Sequence, residues 1–285
     1  MKKLGSMTQF NKKFVGFVLL TAVILLVVRQ TYAAQNFPDA NTPLFSGNFA
    51  PPAEDFPQEV TVVSYNIRYA ENSEQAIAEL TALDSQAGVD LILLQEMDET
   101  SVEHIARTLN LNYVYFPAAV EPRYNQNFGN AILSRWPLTN PRKLILPHQS
   151  VNSQMNRIAT RATIRIHEVD ILVYSVHTEI FTLPNFQEDQ FKAILDDVEA
   201  NADFAIIGGD FNTATPSTVE RLEEIFRQAN IVKASNNSGH TIVKYGVEAV
   251  ADHIFSKGLT LVDSGKIEQA TASDHLPIWV KLEFE

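Results

Sequence analysis

The 285-residue sequence predicts an α/β protein with mixed sheets. Apolar runs of strand length, such as residues 60–65 and 89–94, occur on either side of a segment with helical period, which is typical of strands joined through a helix. Residues 161–166 instead meet a second strand at residues 167–170, and this favours a β-hairpin. Strands that alternate partly with helices and partly with each other produce sheets with both parallel and antiparallel neighbours.

Three segments between the strands are predicted to be helical. Residues 73–87 have apolar side chains at helical spacing and are followed by Gly88, a favourable residue after a helix. Residues 217–220 match a capping box just after Pro216 and open a second helix, and residues 185–200 form the third. The side chains expected to face inward are Ala76, Ile77, Leu80, Ala82 and Leu83, then Leu222, Ile225 and Phe226, and finally Phe191, Ile194, Leu195 and Val198.

Residues 1–34 are predicted to direct export, either as a signal peptide or as a signal anchor. Four lysines precede 15 uncharged, mostly apolar residues from Phe14 to Val28, a length between that of a signal-peptide apolar region and that of a spanning helix. Cleavage after Ala33 is one interpretation. Arg29 and Tyr32 suit a cleavage region poorly and favour an uncleaved anchor with the lysines on the cytoplasmic side.

Residues 35–58 are predicted to be a proline-rich linker, and residues 59–285 a single catalytic domain. The linker has five prolines and little periodicity, which is typical of an extended tether. The remaining chain of about 230 residues is long enough to bury a sizeable core in one domain.

Composition excludes several classes of protein. The absence of cysteine rules out a disulfide framework, thiolate zinc sites and a cysteine nucleophile. Without the five basic residues up to Arg29, 17 lysines and arginines face 34 acidic residues, a formal charge of −17. A nonspecific nucleic-acid binder usually has a basic surface, so this charge counts against one, although a bound metal can supply positive charge where a phosphate sits.

Polar side chains of catalytic type stand at the ends of six predicted strands. Two of the groups are Gly208-Gly209-Asp210-Phe211-Asn212 and Ser273-Asp274-His275, and α/β enzymes place their chemistry on such turns. One Asp–His pair alone is more often an ordinary turn, but six strand ends with the same placement make a chance arrangement much less common. The positions are Asn66, Glu96, His177, Asp210 with Asn212, Asp252, and Asp274 with His275.

In this order and at these spacings the chain resembles the endonuclease/exonuclease/phosphatase superfamily, the deoxyribonuclease I-like metal-dependent hydrolases. The matching stretches, from about Val60 to the C-terminus, are SYNIR, LLQEMD, GNAILSRWPL, YSVHTE, GGDFNT, ADHIFSKG and SDHLPIWVKL. The resemblance implies a four-layer α/β sandwich in which two mixed β-sheets pack face to face with helices outside. It does not fix the substrate, because nucleases, sphingomyelinases and inositol-phosphate phosphatases share this scaffold.

The resemblance also implies a metal site. Glu96 matches the principal ligand, Asn66 matches a second ligand or a ligand-orienting amide, and Asp274 matches a position that can bind metal and hold its neighbour. Oxygen ligands without thiolate suit a hard cation, so Mg²⁺ is favoured and Mn²⁺ is the alternative.

The catalytic residues follow from the same resemblance. His275 matches an imidazole beside the scissile phosphate, which acts as general base or as phosphate clamp. Asp252 matches the carboxylate that fixes the tautomer of this imidazole. Asp210 matches the carboxylate that orients or deprotonates the attacking water, and Asn212 the amide that contacts the phosphate. His177 matches a second histidine, which acts as phosphate ligand or general acid.

One departure from the nuclease branch concerns the support of His177. That branch places a carboxylate in the strand matching residues 128–132, and the sequence has none there. Arg157 and Arg161 are candidates for phosphate contact or ordinary strand residues. The apolar loop at residues 178–186 either meets an apolar part of the substrate or caps the following helix.

These observations lead us to expect a Mg²⁺-dependent phosphodiesterase on the periplasmic or extracellular side of a membrane, either anchored there or secreted after cleavage. The alternative enzyme is a phosphomonoesterase acting on inositol phosphates or lipid headgroups. A non-catalytic binding module of the same fold is a third hypothesis, and the retention of Glu96, Asp210 and His275 argues against it. The expected partner is a phosphate-ester substrate, which is nucleic acid, phospholipid or inositol phosphate, with no obligate protein partner.

Overall fold

The structure, a computed structural model, describes residues 33–52, 57–166, 168–180, 183–244 and 247–284. Its helices there are α1 (Ser73–Ala87), α2 (Glu99–Thr108), α3 (Pro184–Asn201) and α4 (Pro216–Gln228). Its strands are β1 (Gln35–Asn36), β2 (Phe45–Gly47), β3 (Glu59–Asn66), β4 (Leu91–Met97), β5 (Asn112–Glu121), β6 (Gln126–Ser134), β7 (Thr139–Ile145), β8 (Ile158–Ile166), β9 (Val169–His177), β10 (Ala205–Asp210), β11 (Val232–Lys233), β12 (Ile242–Lys244), β13 (Val247–Ala249), β14 (Asp252–Lys257), β15 (Leu259–Lys266) and β16 (Ile278–Phe284).

The strands form two mixed sheets and a small ribbon. The first sheet has the order β1-β5-β6-β4-β3-β16-β15, with β2 also paired to β5, and the second has the order β11-β14-β10-β9-β8-β7. In each sheet one central pair is parallel, β3 with β4 and β9 with β10, while the other described pairs are antiparallel. The predicted hairpin is the β8–β9 pair, and one residue of its turn, His167, lies outside the described residues.

Three apolar clusters separate four layers. One cluster joins α1 and α2 to the first sheet and contains Leu80 and Leu94. The second lies between the sheets and contains Leu93 and Val173, and the third joins the second sheet to α3 and α4 through residues such as Phe191. Successive strand residues point to opposite faces, so neighbours on β4 enter different clusters. This arrangement confirms the four-layer sandwich.

The predicted helices are present, with corrections in two of them. α1 has the predicted bounds and is followed by Gly88 with φ 68°, but Ala82 is exposed because it lies off the buried stripe. α4 buries the expected side chains, but its capping box is formed by Thr215 and Thr218 rather than by residues 217–220. Pro216 occupies the first helical turn, so the capping residue must precede it.

The proline-rich segment at residues 35–58 is not a free tether over its described part. β1 and β2 both pair with β5, which would otherwise expose an unpaired sheet edge. Lys143 on β7 binds the segment to the domain. Its Nζ donates to the carbonyl oxygens of Phe37 at 2.9 Å and Thr42 at 3.1 Å in the segment, and of Pro117 on β5 at 3.1 Å. The need to cover the β5 edge explains the docking, which proline content alone does not reveal.

The export prediction for residues 1–34 falls almost entirely outside the described residues. Among the residues that are described, no helix combines the length and the apolar composition required to cross a bilayer.

Candidate active site

The predicted site residues meet at one edge of the two sheets. In the second sheet Asp210 pairs with His177 of the parallel neighbour and with Asp252 of the antiparallel neighbour. Paired residues on adjacent strands point to the same face, so the strand register alone brings these three side chains together. His275 lies just before β16, and its Nδ1 is 2.8 Å from Oδ2 of Asp252.

Glu96 enters the site through an irregularity in β4. The register between β4 and β6 shifts between Leu94 and Met97, and Glu96 has a φ of 59°. Bulges of this kind re-aim a side chain, and a left-handed backbone is costly for a residue other than glycine. The carboxylate is thereby held 3.3 Å from Asn66 Nδ2 and 3.3 Å from the backbone nitrogen of Tyr69.

Asp210 connects the two sheets. Its Oδ2 accepts from Asn66 Nδ2 at 3.0 Å, and its Oδ1 accepts from the backbone nitrogen of Asn212 at 2.8 Å. The same Oδ2 lies 3.6 Å from His177 Nε2 and 3.8 Å from His275 Nε2. Burial outweighs the attraction of His275 and raises the pKa of Asp210 to about 7, so this carboxyl group can exchange a proton near neutral pH.

The two histidines of the site differ in charge at neutral pH. Burial disfavours the imidazolium form of His275, but the charges of Asp252 and Asp210 prevail and raise its pKa to about 10. Burial lowers the pKa of His177 well below its usual range, and the positive charges of Arg157 and His275 lower it further. At neutral pH His275 is therefore a cation, and His177 is a neutral imidazole.

Arg157 contacts His177, for which residues 128–132 supply no carboxylate partner. Its Nη1 lies 3.2 Å from His177 Nε2, and its Nε donates to Glu179 Oε2 at 2.9 Å. Glu179 is buried, and sequence reasoning did not single it out, although it follows His177 by two residues and so lies on the same side of the strand end. The other candidate, Arg161, instead binds Asp197 of α3 at 2.9 Å and does not line the cleft.

Glu96 and Asp274 both line the cleft and are candidate ligands for a divalent cation. Burial raises the pKa of Glu96; the charges of Arg157 and His275 and the hydrogen bond from Asn66 oppose this shift, and the charge of Asp274 adds to it. A hard cation relieves such an arrangement. Asn66 directs its nitrogen to Glu96 and Asp210, while its Oδ1 accepts from the backbone nitrogen of Arg68 at 2.9 Å. This geometry matches the ligand-orienting alternative for Asn66.

A second set of side chains has metal-ligand spacing. Asp210, Asp252 and His275 each offer one possible ligand atom, and these three atoms lie within 4.8 Å of one another. Asp252 and His275 are already hydrogen-bonded to each other, and both oxygens of Asp210 accept hydrogen bonds from asparagines. We therefore favour Glu96 and Asp274 as the metal side of the site and the second set as its acid–base side.

The site lies in an open cleft of about 660 Å³. Six of the eight predicted residues line it, all except Asn66 and Asp252. Among them is Asn212, whose Nδ2 donates to the carbonyl oxygen of Thr178 at 2.8 Å. The lining also includes the apolar side chains of Phe128, Met155 and Ile180. The cleft can accommodate a phosphate group beside an apolar substituent.

Glu79, which sequence reasoning also missed, holds the loop that carries Asp274 and His275. It is buried on α1, accepts from the Tyr65 hydroxyl at 2.9 Å, and accepts from the backbone nitrogens of Thr271 at 2.7 Å and Ala272 at 3.2 Å. The sequence feature that could have identified Glu79 is a carboxylate within the apolar stripe of a predicted helix.

Comparisons with known proteins agree with this geometry. The family model described as the Endonuclease/Exonuclease/phosphatase family matches residues 63–275. A family protein from Leptotrichia buccalis C-1013-b is 22% identical, with a TM-score of 0.65 over 79% of this chain and 100% of that chain. A family protein from Bacteroides thetaiotaomicron is 16% identical, with a TM-score of 0.64 over 81% of this chain and 97% of that chain.

A third similar structure is D. rerio TDP2 complexed with a single-strand DNA product. It is 14% identical, with a TM-score of 0.62 over 80% of this chain and 100% of that chain. The comparison with curated protein sequences finds no match.

At these identities the solved structures establish the fold, and the family model covers well over half of the chain. Members of this family are metal-dependent hydrolases of phosphate esters. The chain belongs to the endonuclease/exonuclease/phosphatase family and is an enzyme of that class.

Proposed function

We propose that the protein is a Mg²⁺-dependent phosphodiesterase that uses a water molecule activated by Asp210. The observation that carries this proposal is the position of Asp210 Oδ2, within 4 Å of both His177 and His275 and hydrogen-bonded to the amide that also contacts Glu96. One carboxylate thus lies between a candidate metal side and a pair of imidazoles. This arrangement suits attack of water on a phosphoryl group.

In this mechanism Asp210 accepts a proton from the attacking water. The bond from the water oxygen to phosphorus forms as the bond to the leaving oxygen breaks, and Asp210 returns the proton to the leaving alkoxide through solvent. His275, held by Asp252, donates a hydrogen bond to a phosphoryl oxygen, which is the clamp role. His177 and Arg157, which also line the cleft, are further donors to the phosphoryl oxygens. Glu96, oriented by Asn66, and Asp274 would hold a divalent cation, and such a cation would supply positive charge beside the phosphoryl oxygens.

The charges of the cleft favour a diester over a monoester. Of the described residues that line the cleft, five carry carboxyl groups, and only Arg68, Arg157 and His275 carry positive charge. A monoester brings close to two negative charges at neutral pH, whereas a diester brings one. Before a cation binds, the additional charge is unfavourable among the carboxylates. The TDP2 structure with a DNA product supports including nucleic acid among the substrates to be tested.

Export to the periplasmic or extracellular side is part of the same proposal. It rests on the apolar run from Phe14 to Val28 behind four lysines.

Metal removal tests the proposal. EDTA should abolish hydrolysis of bis-p-nitrophenyl phosphate, and Mg²⁺ or Mn²⁺ should restore it, because Glu96 and Asp274 offer oxygen ligands only. Glu96→Gln should raise the Mg²⁺ concentration for half-maximal activity at least about tenfold. Glu121→Gln is the matched control, since Glu121 also lines the cleft but is not a proposed ligand. Full activity of a verified metal-free preparation would contradict the proposal.

A further inference from the structure

Three apolar side chains are exposed at the mouth of the cleft. Val151 is 63% exposed, Leu183 59% and Ile180 37%. Ile180 lines the cleft, Val151 lies between the cleft-lining Ser150 and Asn152, and Leu183 precedes the first turn of α3. Isolated exposed apolar residues are common, so the question is whether these belong to one surface.

Side-chain contacts join the two segments that carry these residues. The ring of His148 stacks on Phe186 with centroids 3.8 Å apart, and Gln190 Nε2 donates to the carbonyl oxygen of Pro147 at 2.8 Å. The Gln190 side chain also accepts from the backbone nitrogen of Glu179 at 2.9 Å. The turn at residues 147–155 and the start of α3 therefore form one wall, which we call the mouth wall.

The N-terminal segment enters the domain at the mouth wall. The backbone nitrogen of Ala34 donates to the carbonyl oxygen of Ser153 at 2.8 Å, and Asn36 Nδ2 donates to the carbonyl oxygen of Gln154 at 2.8 Å. Only five residues of sequence separate Ala34 from Val28, the end of the apolar run. Such a connection spans at most about 20 Å, so a bilayer that held the run would lie close to the mouth of the cleft.

From these observations we infer that the mouth wall binds a lipid bilayer and that the enzyme hydrolyses phosphodiesters presented at that surface. The inference rests on the proposed phosphodiesterase function. Val151, Ile180 and Leu183 enter the interface by apolar contact, since a chain with a formal charge of −17 beyond Arg29 gains little from anionic lipid. Docking of β1 and β2 on β5 then fixes the orientation in which the cleft faces the bilayer.

The test compares two substrates that differ only in their anchoring. The full chain is reconstituted in phosphatidylcholine vesicles and assayed with Mg²⁺ on hexadecyl p-nitrophenyl phosphate in the same vesicles, and on soluble methyl p-nitrophenyl phosphate. Val151→Glu and Leu183→Glu should each lower hydrolysis of the hexadecyl ester at least about fivefold, because a charge in the interface opposes insertion. Hydrolysis of the methyl ester should change less than about twofold.

Val232→Glu provides a matched control. Val232 is also 63% exposed, but it lies on β11 and pairs with Ser256, toward the end of β14 far from Asp252. This variant should hydrolyse both esters at the wild-type rate. Equal losses on the two esters, or equal effects of the Val151 and Val232 variants, would overturn the membrane inference. Failure of the wild type to hydrolyse either ester would instead overturn the phosphodiesterase proposal.

Discussion

The catalytic cleft and the contact between Lys143 and the N-terminal segment both contain buried charged side chains. In the second region Lys143 is fully buried, and its ammonium group donates to three carbonyl oxygens. In the cleft, Oδ1 of Asp252 has no hydrogen-bond partner among the described residues, and Glu96 lies in the field of a second carboxylate. The ammonium group is satisfied, whereas this oxygen of Asp252 is not.

This difference separates charge that serves structure from charge that serves chemistry. A buried charge with complete hydrogen bonds stabilises one arrangement of the chain, while an incompletely bonded one remains available to substrate, water or metal. Glu96 adds a strained backbone to its unfavourable charge. Substitutions in the cleft should therefore reduce catalysis with little loss of stability, and substitution of Lys143 should have the reverse effect.

The largest effect is expected from the acid–base side of the cleft. Asp210→Asn and His275→Ala should each lower kcat at least about 100-fold, because each removes a group that acts on the proton or the phosphoryl charge. Steady-state kinetics on bis-p-nitrophenyl phosphate at saturating Mg²⁺ measures the loss. The free energy of unfolding should stay near the wild-type value.

The double variant sharpens this result. If Asp210 and His275 act on one transition state, the combined loss should be smaller than the product of the single losses. Circular dichroism must remain native in all three proteins. A single variant that kept near wild-type kcat would remove its residue from the mechanism.

A smaller effect is expected from Asp252, which acts through His275. Asp252→Asn should lower kcat roughly 10-fold to 100-fold and leave KM nearly unchanged, because the imidazole loses its orienting partner but the cleft keeps its shape. Asp203→Asn, at an exposed position, is the control and should leave both constants unchanged. A change confined to KM would indicate that Asp252 contacts the substrate instead of positioning His275.

The sequence predicted the layers and the strand ends of the site because both depend on local patterns. Apolar runs with polar ends marked β3, β4, β9 and β10, and the fold then brought the eight predicted residues to one edge. The roles of those residues remain predictions. Helix α2 and the strands β5, β7 and β15 were not predicted, because their burial depends on neighbours distant in the chain.

Features that depend on long-range contacts could not be predicted. The left-handed backbone of Glu96 follows from the β4–β6 bulge, and the Arg157–Glu179 pair needs two segments to meet. β1 and β2 have two and three residues, too few to show a period, and Lys143 resembles any lysine on an edge strand. A proline-rich sequence was therefore interpreted as a tether although it is docked.

The smallest effect on activity, and the clearest effect on stability, is expected from Lys143. Lys143→Met leaves three carbonyl oxygens without their donor and should lower the free energy of unfolding by about 1–3 kcal/mol. Hydrolysis of a soluble diester should change less than about twofold. Lys192→Met, at an exposed position of α3, is the control and should change the unfolding free energy by less than about 0.5 kcal/mol.

The pH dependence of stability distinguishes a buried ammonium group from a merely well-packed lysine. Burial lowers the pKa of Lys143 to about 8 from 10.5, so between these values the unfolded chain binds more protons than the folded one. Wild-type stability should therefore gain a contribution as pH rises from 8 toward 10.5, and lose it again as pH falls through 8. Urea unfolding of the wild type and of Lys143→Met at pH 7.5 and 9.5 measures this contribution. The difference in unfolding free energy between the two proteins should be larger at pH 9.5. A difference independent of pH would show that burial does not perturb the titration of this lysine.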